Sequence, residues 1–87
     1  MTTQLRATLQ IIGTQECSTL IVEPWAEELR LCDGATYQVV AMAEDMPWFQ
    51  VESKGDTLVV HVEGKRATFE VHLEGEAIAG SDVPTPN

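Results

Sequence analysis

Apolar and polar residues alternate along most of this chain with a period of two, and no stretch holds a helical period beyond a turn or two. Leu5, Ala7, Leu9 and Ile11 share one side of an extended segment, Arg6, Thr8 and Gln10 the other, and Gly13 ends it. Residues 18–23 are rich in β-branched side chains and stop at Pro24, which has no N–H to give a ladder. Leu29 and Leu31 alternate next, before a turn at Asp33-Gly34. A further strand over 37–42 ends in Glu44-Asp45-Met46-Pro47.

The second half allows a register to be written. Lys54-Gly55 lies between two alternating runs, and glycine in second place suits a two-residue hairpin turn. Closing that turn sets Ser53 opposite Asp56, Val51 opposite Leu58 and Phe49 opposite Val60. A second turn at Gly64-Lys65 pairs Val62 with Ala67, Val60 with Phe69 and Leu58 with Val71. Both hairpins then turn Val60 inward, and a one-residue slip would break the agreement. The pattern therefore predicts a three-stranded antiparallel meander over 48–74. With about seven short strands, the chain reads as all-β, a small antiparallel β-sandwich or barrel. Residues 1–80 form a single domain in this reading, and 81–87, with two prolines, a flexible tail.

Composition narrows the function classes. A chain of 87 residues buries only about 60% of its unfolded surface, so its core is thin. Fourteen acids against five basic residues give a net charge of −9. The acids are dispersed, which describes a solvated acidic shell that repels nucleic acid and anionic membranes and favours basic partners. No apolar run approaches the ~18 residues of a membrane span, and "MTTQLRATLQ" lacks the features of a secretion signal. The expected compartment is the cytoplasm, with Cys17 and Cys32 reduced.

Candidate chemistry is sparse. The derived register puts His61 opposite Thr68 and His72 about 13 Å further along the same strand, too far to share a zinc ion. Neither a CxxC pair nor an HExxH motif occurs, so no metal and no cofactor is expected. Glu16 and Asp33 flank the cysteines and work against a thiolate. No GxSxG elbow or glycine-rich phosphate loop is present, and the acid pairs Glu27-Glu28 and Glu44-Asp45 come without a pocket, so catalysis has little support. Pairing Val22 with Leu29 would leave Cys17 diagonal to Cys32, about 7–8 Å apart and beyond usual disulfide reach.

Two places invite a contact. On the meander's outer face Trp48 falls opposite His61 and Gln50 opposite Val59, with Glu52, Thr57, Thr68, Glu70 and His72 around them. An exposed tryptophan there would anchor a protein partner; under the plainer reading Trp48 closes the barrel end or lies under the tail. The second place is "EPWAEEL". Pro24 sets a turn, Trp25 folds back over the open end of the core, and Glu27 and Glu28 keep the tip wet. That stretch reads first as a corner and second as a binding loop using Trp25 with Glu23, Glu27 and Glu28.

"VEPWAEELRL" followed by "DGATYQVVA" resembles a group of small, mostly uncharacterised bacterial all-β proteins. They share a VEPW-type corner, an acidic residue, a glycine turn and an aromatic-x-Val-Val-Ala strand. The resemblance covers residues 20–43. Many members carry glycine where Ala26 stands, which implies a corner that turns differently here. The group has no agreed activity, so the resemblance implies a compact all-β fold and transfers no catalytic residue.

These readings lead to a non-enzymatic protein-interaction domain whose acidic surface meets a basic partner, with Trp48, Val59, His61, Trp25, Glu23, Glu27 and Glu28 as candidate contacts. The alternatives are an acidic inhibitor or nucleic-acid mimic, and a small-ligand binder or enzyme using a cleft at loop 23–28. Self-association through a strand edge is a further expectation.

Overall fold

The computed structural model describes residues 4–81 and 84. Among them eight strands and no helix occur: β1 (Leu5–Ile12), β2 (Thr19–Glu23), β3 (Glu27–Arg30), β4 (Thr36–Ala43), β5 (Trp48–Lys54), β6 (Thr57–Glu63), β7 (Thr68–Leu73) and β8 (Glu76–Gly80). They build two four-stranded sheets, ordered β1-β4-β7-β8 and β3-β2-β6-β5, which do not close into a barrel. The fold is a small β-sandwich.

Alternation sets the layers. Leu20 and Val22 of β2 and Val60 and Val62 of β6 meet Tyr37, Val39 and Ala41 of β4 and Phe69 and Val71 of β7 in one buried cluster. Each of the leucine, valine and phenylalanine side chains among them contributes about 1.5–3 kcal/mol through burial, and the two central strands of each sheet supply them all. Every ladder is antiparallel except one: β2 runs parallel to β6, with Thr19 opposite Thr57 and Ile21 opposite Val59.

The three-stranded meander expected over 48–74 is not formed. β5 and β6 make the first hairpin, but β7 crosses to the other sheet and pairs with β4 and β8. Val60 does stand between two ladders; its partners are Val51 and Val22 instead of Val51's neighbour Phe49 and Phe69. The physical reason is that an inward-facing strand shows the same alternation whether it lies beside its predecessor or across the core from it. Gly64-Lys65 therefore serves a crossover. Asp45 Oδ1 accepts the Lys65 N–H at 2.6 Å, Glu44 N–H donates to the Lys65 carbonyl at 2.9 Å, and Arg66 Nε pairs with Glu44 at 3.2 Å.

Two registers also move by two residues. The first hairpin loop is Gly55-Asp56, with Lys54 opposite Thr57 and Trp48 opposite Glu63. Gly55, at φ 62°, takes the first loop position, where a type II′ turn requires it. At the corner, Leu20 faces Leu29 and Val22 faces Glu27, so the loop shrinks to Pro24, Trp25 and Ala26. A shift of two preserves which face each side chain occupies. Ala26 has φ 59°, the left-handed conformation that glycine adopts most easily, so the corner keeps a glycine-like turn despite its alanine.

The tail expected over 81–87 falls mostly outside the described residues. Its first residue is held: Ser81 N–H donates to the Phe69 carbonyl, and Ser81 Oγ accepts the Phe69 N–H, both at 3.0 Å.

Candidate functional site

The outward side chains of β3, β2, β6 and β5 fall into rows that cross the sheet. The ladder partners Arg30, Thr19, Thr57 and Lys54 make the first row, with a cation at each end. Glu28, Ile21, Val59 and Glu52 make the second, where two aliphatic side chains lie between two carboxylates. Glu23, His61 and Gln50 follow, then Glu63 beside Trp48. Rows stand about 6.6 Å apart and strands about 4.8 Å apart.

Charge on this face thus runs from basic at one end to acidic over the rest. Across the first three rows lies an open groove of about 450 Å³, floored by Ile21 and Val59 and rimmed by Glu23, Glu52, Lys54, Thr57 and His61. Val59 points outward yet is only 9% exposed, low between the strands on either side of it. Lys54 Nζ reaches Glu52 Oε1 at 3.7 Å, an exposed pair that contributes little. Trp48 stands clear at 55% exposure, with Met46 exposed two residues before it.

Of the residues that sequence alone picks out, Trp48, Val59, His61, Glu23 and Glu28 share this one face. Their neighbours differ from the expected ones: Trp48 lies opposite Glu63 instead of His61, and Gln50 opposite His61 instead of Val59. Thr68, Glu70 and His72 are on the outer face of the other sheet, where His72 Nε2 lies 2.8 Å from Glu70 Oε1. The two histidines are therefore parted by a whole sandwich instead of by one strand's length. Among the described residues no group of three or more His, Cys, Asp and Glu converges to hold a metal.

Trp25 belongs to the core. Its ring centroid lies 4.5 Å from that of Phe69 at an interplanar angle of 42°, and Phe69 is buried at 1% exposure. Glu27 begins β3 half-buried, on the side opposite to Glu28. The corner lays Trp25 against the core, and the lining of the groove beside Glu23 includes neither Trp25 nor Glu27. Sequence alone leaves out Ile21 and Arg30. Both join the site only through the parallel β2–β6 ladder, which has no turn of its own to announce it.

Both cysteines are free thiols. The Leu31 N–H donates to the Ser18 carbonyl at 2.8 Å, so Cys17 and Cys32 are the next residues along two paired strand ends. The Ser18 and Thr19 N–H groups both donate to the Asp56 carbonyl, at 2.9 and 3.2 Å, which breaks the alternation there. Cys17 consequently packs against the core while Cys32 is exposed. Nearby, Tyr37 Oη accepts the Cys32 N–H at 2.8 Å. That bond favours the phenolate, but burial and the adjacent Cys32 thiol outweigh it and raise the Tyr37 pKa above its ordinary value.

Comparison with protein-family models, curated proteins and solved structures finds no match for this chain. No helix among the described residues is long and apolar enough to cross a membrane.

Proposed function

We propose that this chain is a non-enzymatic protein-contact domain whose second sheet presents its outer face to a basic partner. The observation that carries the reading is the row Glu28–Ile21–Val59–Glu52, an apolar strip between carboxylates, with Glu23, Glu63 and exposed Trp48 beyond it. An exposed aromatic on the same face as an aliphatic strip is what interface hot spots use, and an acidic rim selects the sign of the partner. Two free thiols suit a reducing compartment, so the proposed location is the cytoplasm.

Of the other readings, a nucleic-acid mimic wants one unbroken acidic array, and Arg30 and Lys54 interrupt it at one end of this face. A small-ligand site has the groove's volume in its favour, but that groove is open along the sheet, whereas ligand pockets enclose most of their guest.

The test is a nuclear magnetic resonance titration with a lysine- and arginine-rich peptide at low and at moderate salt. The reading expects amide shifts confined to β3, β2, β6 and β5 that weaken as salt rises, and loss of those shifts in Glu28→Lys/Glu52→Lys. Shifts scattered over both sheets, or none at all, would overturn it.

A further inference from the structure

We infer that the groove over Ile21 and Val59 is a seat for one arginine side chain from an extended segment of the partner. The inference rests on the basic-partner reading and assigns the residue recognised. The groove complements an arginine in both charge and shape. An arginine carries an aliphatic stem that needs an apolar floor and a cation that needs carboxylates at the end of it. Ile21 and Val59, side by side across the β2–β6 ladder, make the floor.

Glu23 on β2 and Glu52 on β5 rim the same groove with β6 between their strands. Glu52 stands in the second row and Glu23 in the third, so two strand spacings across and one row along put their Cα atoms about 12 Å apart. A planar guanidinium has five N–H donors facing in several directions and engages carboxylates on both sides, while an ammonium is a compact point charge that settles on one. The spacing therefore selects arginine over lysine.

Lys54 has a place in this arrangement. It lines the groove and holds Glu52 at 3.7 Å, with both side chains largely exposed. The incoming cation must take Glu52 from it. Lys54 thus acts as a resident competitor, one that keeps the carboxylate compensated when no partner is bound. A merely acidic surface makes no such demand, since removing a lysine from it changes affinity only through long-range charge.

The experiment uses four capped heptapeptides of alanine and glycine with arginine, lysine, citrulline or norleucine in the middle, titrated at millimolar concentration into the full chain. Ile21 and Val59 methyl resonances report on the floor. Arginine is expected to shift both, with at least threefold tighter binding than lysine and no saturable response to citrulline or norleucine. Glu23→Gln and Glu52→Gln are each expected to weaken the arginine peptide about tenfold. Lys54→Gln should tighten it about threefold at a salt concentration that screens long-range charge. Surface positions such as these leave the fold intact, checked by an unchanged amide spectrum outside the groove.

Equal binding of lysine and arginine would overturn the assignment while leaving the basic-partner reading in place. So would arginine shifts on this face that spare Ile21 and Val59, or a Lys54→Gln variant that binds no better. If neither basic peptide perturbs the outer face of the second sheet, the inference and the reading beneath it fall together.

Discussion

The ring of Trp25 lies 4.5 Å from that of Phe69, tilted by 42°, and this contact joins the β2–β3 corner of one sheet to the middle of the other. The two tryptophans of the chain therefore have different work. One closes the core, and the other stands on the outer face of β5.

Trp25→Ala should cost about 3 kcal/mol, the lower end of the range for large aromatics because the side chain is half-buried. Trp48→Ala should change stability by no more than about 0.5 kcal/mol. Urea denaturation of the two variants measures both. Acrylamide quenching gives a second readout, strong in Trp25→Phe, where only Trp48 emits, and weak in Trp48→Phe. Equal costs for the two alanine variants would contradict this division.

Ala26 holds φ 59°, a conformation that costs a residue with a Cβ about 1–2 kcal/mol. Ala26→Gly relieves that strain and returns part of it as unfolded-chain entropy. The expected net gain is about 0.5–1 kcal/mol, visible as a rise of several degrees in Tm for a domain of this size. A lower Tm would mean that the corner does not need the left-handed turn.

Gly13 sits where β1 ends and the chain turns toward β2. A Cβ built there would run into the Cys32 carbonyl and crowd the Leu31 side chain. The obstacle is backbone, held by the Gly34 N–H to the Gly13 carbonyl at 2.8 Å and the Gly13 N–H to the Ala35 carbonyl at 2.9 Å. Gly13→Ala should destabilise by about 3 kcal/mol, as overpacking does in a site that cannot relax. Calorimetry of the variant checks this, and a near-neutral change would contradict the close approach.

Tyr37 supplies a pH dependence. Its folded pKa is raised above the ordinary phenol value of about 10, so below that value both folded and unfolded states keep the proton and the contribution is intact. As pH climbs past 10 the unfolded chain ionises first, the equilibrium moves toward it, and stability falls until the folded pKa is passed. Urea midpoints measured between pH 8 and 11 should decline at the upper end. In Tyr37→Phe that decline should disappear, on top of a loss of about 1 kcal/mol for the Cys32 N–H left without its acceptor.

The fold class and the facing of nearly every strand residue were legible because alternation is a local property. Val22, Val60, Phe69 and Val71 all point inward as the pattern says. Sheet membership was not legible. Phe69 was expected beside Val60 in one ladder; both are core residues in two different sheets, and period two is blind to that difference. The candidate face was half legible for the same reason. Trp48, Val59 and His61 come together because a local hairpin joins them, and a two-residue register error left them on the same side. Ile21 and Arg30 arrive through a parallel pairing between distant segments, for which the intervening chain leaves no mark.

That parallel pairing has a further consequence, for the order in which the molecule is made. During synthesis the β1–β4 ladder and the β2–β3 hairpin have all their residues once Ala43 has left the ribosome, yet the core they share still lacks Val60, Val62, Phe69 and Val71. β2 must stay open until Thr57 through His61 emerge to zip along it. Contacts this remote in sequence are slow to close, so folding should be a late event, completed on a millisecond-to-second scale only after most of the chain is free. The newborn first half is thus the form most exposed to unwanted strand partners, and its surplus of carboxylates helps keep it apart from other copies until the centre strand arrives.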